Sequence, residues 1–66
     1  MNNDTIKIQK IKAYIILMND LEELGYKYNR FANNDEISQT THDILVEKIT
    51  TLKREIINDI ISIVNE

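Results

Sequence analysis

Few side chains in this chain are of the kinds that do covalent chemistry. His42-Asp43 is the one pair with acid–base character. Neighbours on a helix point about 100° apart, so we expect no preformed dyad and read His42 as a surface residue near a helix start. The sequence contains no cysteine and one histidine, which removes thiol nucleophiles, disulfides and multi-histidine metal centres. A lone glycine cannot build a phosphate-cradling loop. Asp20, Glu22 and Glu23 cluster, but a general acid–base pair needs facing carboxylates in a pocket, and two helices enclose little. Glu22 falls inside an apolar arc and is placed to pair with a Lys or Arg across a helix interface. The expectation is a protein without catalytic residues, metal or cofactor.

The formal net charge of −3 argues against wholesale phosphate binding, although Lys7, Lys10 and Lys12 make a local basic end. Nucleic acid is therefore not the expected partner, and a weak dimeric nucleic-acid binder stands only as an alternative reading. Tyr26, Tyr28, Arg30 and Phe31 gather within six positions. Aromatics with arginine dominate protein-interface hot spots, which makes these four the candidate partner-binding patch. The competing reading is that they seal one end of a small bundle.

The segment Ser38-Gln39-Thr40-Thr41-His42-Asp43-Ile44-Leu45 resembles the Ser-Gln-x-Leu-Asp signature of the small helical-hairpin phosphatases that remove aspartyl phosphate from a sporulation response regulator. Here the aspartate stands one position later and no leucine precedes it. The resemblance covers these eight residues and implies a regulator of that class, with Ser38, Gln39 and Asp43 at its site.

The elements that would carry these groups follow from spacing. Proline is absent and Gly25 is the only glycine, so long helices meet neither strong breaker. Asp4 or Thr5 is a plausible first cap. Ile8, Ile11, Tyr14, Ile15, Leu17, Met18, Leu21, Leu24 and Tyr28 fall within an arc of about 200°, with Lys12, Asn19, Asp20 and Glu23 opposite. This predicts a helix over about 5–28. Asn33-Asn34-Asp35 is the densest turn signal in a connection over about 29–40. Asp35 is placed to cap the second helix or a short helical turn through Ile37 within the connection, and Thr40 or Thr41 to cap a helix that starts near Thr41.

That second helix, about 41–64, carries Leu45, Ile49, Leu52, Ile56, Ile60 and Ile63 at steps of four and three, a stripe close to that of a coiled coil. Near its end Ile56, Ile57, Ile60, Ile61, Ile63 and Val64 widen the stripe to about 160°. The fold class is all-α: an antiparallel helical hairpin, one domain over 1–66.

A chain of 66 residues buries only about 60% of the surface its unfolded form exposes. Its apolar faces are wider than one hairpin covers, and leaving them wet forgoes several kcal/mol at about 25 cal/mol per Å². Two hairpins pairing as a four-helix bundle would bury the excess. Ile8, Ile11, Ile15, Ile56, Ile57, Ile60, Ile61 and Val64, at the open end, are the self-association candidates. A groove or helix of another protein is the alternative cover. No apolar run approaches the roughly 20 residues of a membrane span, and no secretory signal is visible. The AT-rich codons of Ile, Asn and Lys suggest a low-GC bacterium, its phage or its plasmid. The reading is a cytoplasmic, homodimeric regulator or adaptor that acts by contact with an unidentified protein.

Overall fold

The computed structural model describes residues 2–66, with side chains from residue 4 onward. Among the described residues the fold consists of two helices, α1 (Asn2–Asn33) and α2 (Gln39–Val64). They lie antiparallel. At the open end the Lys7 Nζ donates to the Glu66 carbonyl oxygen at 2.8 Å, and at the turn end the His42 ring reaches the side chain of Asn29. No helix among the described residues is long and apolar enough to cross a membrane.

Residues facing the partner helix repeat with alternating steps of four and three in both elements. On α1 the inward row is Lys7, Ile11, Tyr14, Met18, Leu21, Gly25, Tyr28 and Ala32; on α2 it is His42, Val46, Ile49, Lys53, Ile56, Ile60 and Ile63, all buried or half-buried. This is the period that keeps one seam in register along two packed helices. Leu21, Ile49 and Ile56 form the buried centre, with Tyr14, Met18, Tyr28 and Ile60 packed on it. Ile63 is buried nearer the open end.

Three expectations change. First, α1 continues through Gly25 and past Tyr28 to Asn33, because the inward row extends to Ala32 and rewards the added turns. It also begins at Asn2, so Asp4 sits inside the first turn, where a carboxylate complements the helix's positive end. Second, α1 stops by hydrogen bonding. The Glu36 N–H donates to the Phe31 carbonyl at 2.8 Å and the Asp35 N–H to that of Ala32 at 3.1 Å. Asp35 holds the left-handed conformation at φ 58°, the Schellman arrangement with aspartate in the place usually taken by glycine. Third, the cap of α2 is Ser38. Its Oγ accepts the Thr41 N–H at 3.1 Å, so Asp35, Thr40 and Thr41 are not the cap and the helix starts two residues before Thr41.

The seam of α2 also differs from the expected stripe at two steps: Val46 stands in the inward row where Leu45 was expected, and Lys53 where Leu52 was. Leu52 is 46% exposed, and Lys53 takes the inward position. Gly25 lines the same groove as Lys53. The aliphatic stem of Lys53 lies along the seam while its amine forms an ion pair with Glu22. The cross-helix pairing expected of Glu22 is thus made, with Lys53.

Gly25 itself is helical, and a Cβ added there meets no atom within 4 Å. Gly25→Ala is therefore expected to stabilise the fold by about 1 kcal/mol through helix propensity. A thermal melt should show a rise of about 4–8 °C. A lowered midpoint would mean that this position needs glycine for a reason other than conformation.

The hairpin is slender. Its Cα radius of gyration is 15.4 Å, against about 11 Å for a compact globule of this length. It exposes 5204 Å², against ~4,400 Å² for a folded monomer of the same mass. The apolar residues responsible are placed by helical arithmetic.

Candidate functional site: two half-apolar faces

Beside the seam, each helix carries two flanking rows, and the cross-helix contacts show which rows share a face. Glu22 and Asn29 of α1 meet Lys53 and His42 of α2, with Tyr26, Val46 and Thr50 lining the same groove. Steps of seven extend this face along Ile8, Ile15, Glu22 and Asn29 on α1, and along Asp43, Thr50, Ile57 and Val64 on α2. The opposite face joins Lys10, Ala13 and Tyr14 to Asp59 and Ser62. The same step extends it along Lys10, Leu17, Leu24 and Phe31, and along Leu45, Leu52, Asp59 and Glu66.

Each face is half apolar, and the two run in opposite senses. On the first, Ile8, Ile15, Ile57 and Val64 fill the open-end half with Ile61 beside them. The Glu22–Lys53 ion pair marks where the face turns polar, toward Asn29 and Asp43. On the second, Lys10, Asp59 and Glu66 hold the open end, while Leu17, Leu24, Phe31, Leu45 and Leu52 fill the turn-end half. There Tyr14 bonds the Asp59 carboxylate, and that bond, with the carboxylate's charge, holds the phenol above its ordinary pKa.

Of the self-association candidates, Ile8, Ile15, Ile57, Ile61 and Val64 lie together and are about half exposed or more, Val64 reaching 60%. Ile11 and Ile60 are half-buried in the seam, and Ile56 is spent inside the hairpin at 4% exposure. The partner-patch candidates do not share one surface. Tyr28 faces the seam and touches Phe31, ring centroids 6.5 Å apart, and Phe31 belongs to the leucine half-face. Tyr26 stands on the other face, and helical spacing turns Arg30 outward. They diverge because α1 does not end near Tyr28: four residues within six positions of a continuing helix point to every side.

At the start of α2 a polar cluster forms where no dyad was expected. The His42 Nδ1 lies 3.0 Å from the Asp43 Oδ1, because Gln39, one turn earlier, donates to the same carboxylate oxygen at 2.9 Å and draws it back. His42 is not a surface residue either; its side chain is 16% exposed. Its Nε2, the atom that would take a proton in an Asp–His–nucleophile arrangement, is occupied by the Asn29 amide, so the ring ties the two helices together. Ser38 Oγ caps the helix and donates to Thr41 Oγ1 at 3.0 Å. Ser38, Gln39 and Asp43 thus make their bonds among themselves, Thr41 and His42 at the start of α2.

The bonds from His42 and Gln39 hold the Asp43 carboxyl below its ordinary pKa. A depressed folded-state pKa adds stability above the unfolded value, and that stability is lost as pH falls through the folded value. Wild type should thus exceed Asp43→Asn in stability at neutral pH. The gap should close as pH drops through and below about 3.9, as read by urea melts across that range. A gap that stayed constant with pH would remove Asp43 from the linkage.

No protein-family profile, no curated protein and no solved structure matches this chain.

Proposed function

We propose that this hairpin is a non-enzymatic regulator or adaptor that works by protein–protein contact, and that its working form is a homodimeric four-helix bundle closed over the isoleucine–valine face. The observation that carries the reading is the imbalance between a core centred on Leu21, Ile49 and Ile56 and the half-exposed Ile8, Ile15, Ile57, Ile61 and Val64 gathered on one half-face.

Self-complementarity supports a second copy as the cover. A two-fold axis along the hairpin sets α1 over α2 of the second copy at equal heights. Ile8 then meets Val64, Ile15 meets Ile57, Glu22 meets Thr50 and Asn29 meets Asp43. Apolar groups face apolar ones, polar groups face polar ones, and no like charges oppose. The hairpin is 52 Å long, and two helices side by side are ~20 Å wide. A full face therefore covers ~1,000 Å² per copy, the size of a standard stable interface.

Sedimentation equilibrium tests this. The expected mass is twice the 7.8 kDa of the chain at micromolar concentration. A chain that stayed at 7.8 kDa up to millimolar concentration would overturn the bundle.

A further inference from the structure

The leucine half-face on the opposite side has a pattern of its own. Each of its leucines is followed three residues later by a charge: Leu17 by Asp20, Leu24 by Lys27, Leu45 by Lys48 and Leu52 by Glu55. On a helix this spacing puts the charge on the outer rim beside its leucine. The antiparallel pairing read from Glu22–Lys53 and Asn29–His42 brings Asp20 level with Glu55, and Lys27 level with Lys48. The groove between the helices thus has an acidic belt across its middle and a basic belt two turns nearer the loop, with like charges facing each other across it.

We propose that a second copy of this chain docks antiparallel on this half-face, through an interface separate from the isoleucine seam. A two-fold axis across the groove near Leu24 lays each acidic belt on the basic belt of the other copy. Asp20 then pairs with Lys27 of the second copy and Glu55 with Lys48, twice each. The same axis sets Leu24 against its own equivalent, Leu17 against Phe31, and Leu45 against Leu52. These pairings share one centre to within about three residues, or ~4.5 Å at 1.5 Å per residue. The alternative axis, along the hairpin, would stack Asp20 on Glu55 and Lys27 on Lys48, which like-charge repulsion disfavours. Charge order therefore selects both the occupant and its direction.

Only half a face is used, ~1,000 Å² in all, at the lower end of specific interfaces. The contact is a weak, reversible one that adds to the bundle and makes assembly depend on concentration and salt. It rests on the reading of the chain as a self-associating module, but uses none of the same residues.

Sedimentation equilibrium at ~0.05 M and ~0.5 M salt is the test. Wild type is expected to grow from dimer through tetramer to larger assemblies with concentration at low salt, and to remain a dimer at high salt. Growth continues past the tetramer because each dimer leaves a leucine half-face free on both outer sides. Asp20→Lys or Lys27→Asp alone should weaken the second step about tenfold, and the double swap Asp20→Lys with Lys27→Asp should restore it. Helicity read by circular dichroism should be unchanged throughout, since both residues are exposed. Wild type that never exceeds a dimer, or a double swap that fails to restore growth while remaining helical, overturns the proposal. A wild-type dimer that is lost by Asp20→Lys and kept by Ile15→Glu with Ile57→Glu would instead overturn the isoleucine bundle and leave this interface standing.

Discussion

Ile56→Asp is expected to abolish the folded state. Ile56 is the most deeply buried core side chain at 4% exposure, packed with Leu21 and Ile49 where the two helices meet. A carboxylate there has no cationic partner in the cluster, and an unpaired buried charge costs several kcal/mol. A single core in a chain of this size supplies only about 3–5 kcal/mol, so the loss matches or exceeds the whole. Truncation is milder: Ile56→Ala should cost about 2–4 kcal/mol, from lost transfer energy and the cavity left behind. Ser62→Asp, at an exposed position nearly two turns further on, should leave the molecule folded. The helical signal in circular dichroism, followed through a urea titration, separates the three. Full helicity in Ile56→Asp would mean that the seam of α2 is not where Ile49, Ile56 and Ile63 place it.

The second large effect is on assembly. Ile15→Glu combined with Ile57→Glu should reduce the mass from dimer to monomer at micromolar concentration. The two residues are 49% and 47% exposed in the hairpin, so each retains about 1 kcal/mol of unburied apolar surface. In the bundle they meet twice, which amounts to about 4 kcal/mol, or a thousandfold in Kd. Four carboxylates brought together in the interface add repulsion to that loss. Because dimerisation stabilises the fold by mass action, the double variant should also melt earlier, with a midpoint that no longer depends on concentration. Leu17→Glu, on the other face, is the control and should leave the dimer mass unchanged. If it alone produced monomers, the leucine half-face would be the primary interface.

The sequence was informative wherever a property belongs to one helix at a time. The period of Ile49, Ile56, Ile60 and Ile63 identifies α2 and its inward side, since 3.6 residues per turn convert spacing directly into angle. The partnering of Glu22 was legible for the same reason: a carboxylate within an apolar arc needs a cation from the other element. The crowding of isoleucine near the end of α2 was also plain.

Which neighbour each side chain meets was not legible. Lys53 takes an inward place expected of Leu52 because Glu22 of the other helix receives its charge. His42 and Asp43 come together because Gln39 and Asn29 hold them, one from a turn earlier and one from the other helix. The aromatic patch around Tyr26 to Phe31 divides because α1 continues to Asn33.

The sequence by itself determined two amphipathic helices and an apolar surface wider than their mutual contact. Spacing reports the angle of each residue about its own axis, and nothing about how one axis is rotated against another. Only the tertiary structure decided that rotation, through the packing of Leu21 against Ile49 and Ile56. It thereby sorted the excess into two faces, isoleucine and valine at the open end of one and leucine at the turn end of the other.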